Sequence, residues 1–260
     1  MIITTGENES PRTVARAKEL AQAEAGAVYV RRAGRSLKEL KAVKGDSDVL
    51  VVLENRIRLA GASERPMEFH PSMSYVRAKR VLKGEKDLML EAAGVVPGDV
   101  IVDCTAGLGA DSMMFAVGTG PAGSVIAMES SFPLYMLLKE GLRTYRAKIA
   151  EFTEALQRIE VRHTDHLTGL KSLPDKSVDI VYFDPMFREP TMESSSLSPL
   201  RAYANDEPLS LAAIEEARRV ARKTVVLKEK RDSGEFERLG FGTPERNRTK
   251  ITYGVMHLDR

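Results

Sequence analysis

The chain has 260 residues, 43% of them hydrophobic and 29% charged, with a formal net charge of +2, which suits a soluble globular protein of one large domain or two unequal ones. No apolar run approaches the ~18 residues of a membrane span, and MIITTGENES lacks both the early positive charge and the long apolar core of an export signal. The single cysteine, Cys104, excludes an internal disulfide and a cysteine-based zinc site, so the expectation is a cytoplasmic protein without a metal or a membrane partner.

The first predicted element is a helix in SPRTVARAKELAQAEAG. Ser10 is placed as N-cap, Pro11 at the first helical position and Gly26 beyond the end, with Val14, Ala17, Leu20 and Ala21 at helical spacing. AVYVRR and DVLVVLE read as strands around a short helix, SLKELKAV, giving a small α/β unit in the first 60 or so residues. ERPMEFHPSMSYVRAKRVLKG follows, its prolines marking a linker before a basic helix. Residues 1–85 hold 16 Lys and Arg against 11 Asp and Glu. That bias can attract phosphates, with Arg12, Arg16, Arg77, Lys79 and Arg80 as candidate contacts, and it equally suits an ordinary solvated surface.

From about Asp87 the pattern alternates strands and helices as a parallel sheet requires. DVIVDCT, GSVIAME, RIEVRHTD and VDIVYFD are strands one to four, with ADSMMFAVG and PLYMLLKEGLRTYRAKI as the first two helices. SLAAIEEARRVAR and KTVVLKEK supply the next helix and strand, and FERLGFGTPERNRTKITYGVMHL reads as a terminal strand pair. This is the order of a doubly wound sheet, in which ligands lie beyond the C-terminal strand ends. The expected organisation is a small basic α/β domain at 1–70, a candidate RNA-binding part, and a nucleotide-type domain at 71–260.

Strand one runs into DCTAGLGAD, where Gly107 and Gly109 let the backbone turn sharply and approach a ligand. Strand two ends at Glu129, about 20 residues on, where a carboxylate can accept from both hydroxyls of a ribose. Asp165, at the end of strand three, is placed to accept from an adenine amine. A dinucleotide is disfavoured, because Asp111 would set a negative charge beside its phosphates and Ser112 fills the third glycine position. S-adenosylmethionine carries a sulfonium and an ammonium and no phosphate, so Asp103 and Asp111 suit it better.

Strand four ends in Asp184-Pro185-Met186-Phe187, which resembles the D/N-P-P-Y/F signature of amino-group methyltransferases. An exocyclic base amine is a poor nucleophile, and a site gains by accepting hydrogen bonds from its N–H groups and holding the nitrogen in line with the methyl carbon. Asp184 and the Pro185 carbonyl can accept, and Phe187 offers a face for an unstacked base. Together, DCTAGLGAD, MES, HTDHLTGL and VYFDPMF resemble the bacterial 16S rRNA guanine-N2 methyltransferase family over roughly residues 75–190. The resemblance implies a Rossmann-like methyltransferase sheet, S-adenosylmethionine as cofactor, and RNA of the small ribosomal subunit as partner. It also implies donor contacts from Ala110, Asp111, Glu129, Ser130, Asp165, His166 and Asp184. The chain departs from the family pattern at Asp165-His166, where small hydroxyl residues are expected, and after Phe187, where REPTMESSSLSPLRAY replaces a more basic loop. Methylation of another amine in DNA, tRNA or a metabolite, a non-catalytic RNA-binding role and a nicotinamide-dependent reaction are the alternatives. The sequence leaves the oligomeric state open.

Overall fold

A computed structural model describes residues 1–61, 66–185, 200, 202–203, 207–242 and 250–258. Chain contacts divide it into two compact units, one of residues 1–70, 131–146 and 191–204, the other of residues 71–130, 147–190 and 205–260.

The first unit opens on β1 (Ile2–Thr5), followed by α1 (Pro11–Ala23), β2 (Val28–Tyr29), α2 (Leu37–Lys44), β3 (Val49–Val52), β4 (Ile57–Ala60) and β5 (Met67–Glu68). Its sheet has the order β2-β1-β3-β4-β5, parallel across β2, β1 and β3 and antiparallel thereafter. The capping predicted for α1 is present: Ser10 Oγ accepts from the Thr13 N–H while Thr13 Oγ1 accepts from the Ser10 N–H, and Pro11 occupies the first turn. Ser36 and Glu39 make the same reciprocal box at α2. Ile2, Leu40, Val49 and Val51 form a core on one side of the sheet. The alternate residues Ile3 and Leu50 are equally buried, as a strand covered on both faces demands. Sequence patterning does not find β1, β4 or β5; IITT is too short for a period to register, although its β-branched residues suit a strand.

The second unit follows with α3 (Ser72–Val81), α4 (Leu88–Ala93), β6 (Val100–Asp103), α5 (Ala110–Gly118) and β7 (Ser124–Glu129). The chain then forms α6 (Phe132–Thr144), which belongs to the first unit, before returning as α7 (Ala150–Leu156), β8 (Ile159–His163), α8 (His166–Lys171) and β9 (Val178–Phe183). It ends with α9 (Leu211–Val220), β10 (Ala221–Lys230), α10 (Glu235–Arg238) and β11 (Ile251–His257). The sheet order is β11-β10-β9-β6-β7-β8, parallel except for β11. This is the expected Rossmann-like α/β architecture, and its order reverses between β6 and β9.

Two expectations are corrected. The single helix predicted over PLYMLLKEGLRTYRAKI ends at Thr144, where Tyr145 turns extended, and a separate α7 begins at Ala150. The first member of the predicted terminal strand pair is a short helix: Glu235–Arg238 closes one turn with Phe236 buried, and Phe236 and Phe241 crowd Gly254 of β11. Apolar residues five apart there serve as packing points on β11 and not as one face of a strand.

Candidate active site

The reversal between β6 and β9 creates a gap at the C-terminal strand ends, and the glycine turn lies there. Asp103, the last residue of β6, is 1% exposed. Its carboxylate accepts from the Thr105 N–H at 3.1 Å and from Ser112 Oγ at 2.5 Å, fastening the turn to the first turn of α5. Gly107 (φ +53°) and Gly109 (φ +75°) both adopt the left-handed conformation that side chains disfavour. Among the described residues, a Cβ built on Gly107 would meet nothing within 4 Å, which leaves this side of the turn open to a ligand. Glu129 Oε2, at the end of β7, accepts from the Gly107 N–H at 2.9 Å and braces the turn. Burial, with the carboxylates of Asp111 and Asp184 nearby, pushes the Asp103 carboxyl up to about 7 despite its two donors.

Beneath the turn lies a chain of charges. Asp111, in the first turn of α5, accepts from Arg77 Nη1 at 2.9 Å, from Tyr182 Oη at 2.7 Å and from Lys228 Nζ at 2.8 Å. Burial pushes its carboxyl up, but Lys228, Tyr182 and Arg77 outweigh that and hold it below the ordinary range. Lys228 also donates to Asp184 Oδ2 at 2.7 Å, so one ammonium joins two carboxylates. Arg77 reaches further, to both oxygens of Asp87 at 2.9 Å, and Asp87 caps α4 through the N–H groups of Met89 and Leu90. Tyr182 rests edge-on against Phe115, with ring centroids 4.9 Å apart.

Asp184 is fixed on its backbone side as well, its N–H donating to Thr105 Oγ1 at 2.6 Å. Its side chain keeps 28% of its accessible surface. Burial raises its carboxyl to about 6; Lys228 opposes the rise and Asp111 adds to it. Both partners of the Lys228–Asp184 pair are shifted upward, for opposite reasons: burial disfavours the charged form of Lys228 but Asp184 and Asp111 outweigh it, whereas for Asp184 burial outweighs the ammonium. The direction for Asp184 follows from its being the carboxylate with fewer donors.

The fold therefore brings Asp103, Gly107, Gly109, Ala110, Asp111, Glu129 and Asp184 to one end of the sheet, with half-exposed Pro185 next in the chain. Ser130 follows β7 directly, and its carbonyl faces His163 Nε2 at 3.1 Å. Asp165 is the N-cap of α8, accepting from the Thr168 N–H at 2.9 Å. His166, in the first turn of α8, stands edge-on to Phe183 with centroids 6.0 Å apart, and burial lowers its pKa. Phe187 lies outside the described residues. Two residues proposed for phosphate contacts are turned inward: Arg77 holds Asp87 and Asp111, and Arg16 pairs with buried Glu140 on α6. Arg80 pairs with Glu85.

Sequence reasoning missed Lys228, Thr105 and Tyr182 as members of this cluster. The register offers the signal: β10 pairs with β9 so that Leu227 faces Phe183, which brings Lys228 opposite Asp184. A lysine closing an apolar strand run beside an Asp-Pro strand end is the pattern to look for.

A family model described as "Putative SAM-dependent methyltransferase" matches residues 36–238 of the chain. The chain belongs to this family of methyltransferases. S-adenosylmethionine is thus the cofactor of this methyltransferase, and its residues suit one: an open left-handed turn at Gly107, braced by Glu129, with acidic groups at three strand ends where a cationic ligand would lie. The methyltransferase is 40% identical over 98% of both chains to "Uncharacterized protein YpiP" of Bacillus subtilis (strain 168). It is 28% identical over 156 residues to "Ribosomal RNA small subunit methyltransferase J" of Psychrobacter cryohalolentis, covering 56% of this chain and 50% of the other. The protein of that name from Chromohalobacter salexigens is 32% identical over 59% of this chain and 62% of its own. The methyltransferase thus spans only about two fifths to three fifths of the length of the rRNA methyltransferases it matches. In fold it is similar to a SAM-dependent methyltransferase from Neisseria gonorrhoeae, with a TM-score of 0.66 at 20% identity over 99% of this chain and 96% of that one. Among the described residues, no helix is long and apolar enough to cross a membrane, and no His, Cys, Asp or Glu group could hold a metal ion.

Proposed function

We propose that this methyltransferase modifies an exocyclic amine of an RNA base, guanine N2 in small-subunit ribosomal RNA being the specific target. The observation that carries the reading is the Asp184-Pro185 strand end beside the glycine turn, with the Asp184 backbone tied to Thr105 and one carboxylate oxygen tied to Lys228. The partial likeness to proteins named as small-subunit rRNA methyltransferases supports the choice of RNA.

When bound, S-adenosylmethionine supplies an electrophilic methyl group on a sulfonium. Gly107, Gly109 and Ala110 would line its binding turn, Glu129 and Ser130 its ribose side, and Asp165 and His166 its adenine side, while Asp103 and Asp111 hold the turn from within. Asp184 would accept from one amine N–H and the Pro185 carbonyl from the other. Holding both bonds orients the nitrogen lone pair, and orientation is where most of the gain for a weak nucleophile lies. Phe187 would stack on the extracted base, and extraction costs a few kcal/mol unless the RNA is already open. The N–H proton can leave to water, so no dedicated base is required.

The test is transfer of a labelled methyl group to 16S rRNA and to small subunits from a strain lacking this gene, followed by nucleoside digestion. Label in N2-methylguanosine supports the reading. Label confined to a ring carbon, a ribose or a protein overturns it.

A further inference from the structure

We infer that Lys228 is a positioning residue for methyl transfer, holding the Asp184 carboxylate so that one oxygen is committed to the protein and the other is presented to the substrate. The inference rests on the reading of Asp184 as the amine acceptor. Lys228 Nζ lies 2.7 Å from Asp184 Oδ2 and 2.8 Å from Asp111 Oδ2, and its side chain is 19% exposed. Among the described residues, Asp184 Oδ1 takes no hydrogen bond. A carboxylate at a strand end rotates about two side-chain bonds. Here the Thr105 hydroxyl fixes its backbone and the ammonium fixes one oxygen, which leaves a single orientation for the other.

The anchor is itself anchored. Asp111 is held by Arg77 and Tyr182 as well as by Lys228, and it lies in the first turn of α5, the helix that follows the cofactor turn. Lys228 therefore links the helix behind the donor turn to the acceptor residue of the substrate side, and fixes their separation through two charge-assisted bonds. An ammonium does this better than an uncharged donor, since it also keeps Asp184 ionised in a site that otherwise favours its protonation. The titratable groups that act on this cluster are Asp103, Asp111, Tyr182, Glu229, Tyr253, Arg77 and, through Arg77, Asp87.

The experiment compares the full chain with Lys228→Met and Lys228→Arg. The Asp184 carboxyl is followed by carbon NMR of aspartate-labelled protein, assigned by its loss in Asp184→Asn. Methyl transfer to rRNA is followed across pH 5–9. Lys228→Met is expected to raise the Asp184 titration by a unit or more, to move the acid limb of kcat upward with it, and to lower kcat about 100-fold at neutral pH, the scale of a misplaced reacting group. S-adenosylmethionine affinity and KM for RNA should change less than threefold, and Lys228→Arg should recover most of kcat. An unchanged Asp184 titration in Lys228→Met overturns the inference whatever the substrate. So does a kcat within threefold of the parent with an unmoved acid limb. If the titration moves but the parent transfers methyl to no amine, the proposed function fails, and with it the role in transfer, while the Lys228–Asp184 linkage stands as a separate result.

Discussion

Thr105 Oγ1 accepts the Asp184 backbone N–H at 2.6 Å, joining the loop after β6 to the end of β9 across the point where the sheet order reverses. Thr105→Val keeps the shape and removes the acceptor. The N–H of Asp184 then loses its partner, which should cost about 1–3 kcal/mol of stability. Urea denaturation measures this, and methyl transfer should fall further than stability alone explains, because Asp184 loses its backbone anchor.

Asp184→Asn replaces the acceptor oxygen pair with an amide. We expect kcat to fall by about 10²–10³-fold, the range seen when one preorganised polar contact is removed, with S-adenosylmethionine affinity nearly unchanged by calorimetry. In the parent, the ionised carboxylate is the stronger acceptor, and protonation places an O–H donor against the amine N–H. With its pKa raised to about 6 by burial, kcat should fall about tenfold per pH unit below that value. An acid limb that persists unaltered in Asp184→Asn would assign it to another group.

Asp103 makes a stability prediction with a defined sign. Its folded-state pKa is raised to about 7 against an ordinary value of 3.8, so the folded chain holds this proton more tightly than the unfolded chain. The resulting stabilisation is complete below about pH 4 and is lost as pH rises through 7, with a limiting slope of about 1.4 kcal/mol per pH unit. Asp103→Asn should remove that slope between pH 4 and 7. Denaturation midpoints of both proteins at several pH values give the difference directly.

Arg77 is expected to report on folding and not on RNA. Arg77→Met leaves Asp87 and Asp111 without their shared guanidinium, at about 3–5 kcal/mol. Thermal unfolding should show the loss. The slope of RNA affinity against salt should stay as in the parent, whereas loss of a phosphate contact would reduce it by about one.

Gly107→Val tests the open side of the turn. The positive φ of Gly107 costs a branched residue about 1–2 kcal/mol in stability, and the added atoms enter space that no described residue occupies. Calorimetry with S-adenosylmethionine should show affinity weakened by at least tenfold, well beyond the loss in stability.

The strand-end residues were legible because chemistry and periodicity coincide there. Asp103, Glu129 and Asp184 each close or directly follow an apolar run that patterning identifies, and strand order then gathers them. Lys228 was not legible, because its meaning depends on the register between β10 and β9, and a lysine near a strand end is ordinary in sequence. Arg77 misled for the complementary reason: a basic helix face reads as a phosphate surface, and only the fold brings Asp87 and Asp111 within bonding distance of its guanidinium. Short β-branched segments such as Ile2–Thr5 carry too few residues for a period, so only partner strands reveal them.

α6 has a consequence for how the chain is made. Leu134, Leu137, Leu138 and Leu142 are buried on it, it packs against β3 and β4, and Gly141 lies so close to Phe69 that an added Cβ would stand 2.0 Å from that ring. The ribosome must add about 75 residues after Phe69 before α6 is whole, a wait of about 4 to 15 s at bacterial elongation rates. For that interval the nascent first sheet has an uncovered apolar face. A fragment released at residue 70 never leaves that state, so limited proteolysis should find it open unless residues 131–146 are supplied in trans.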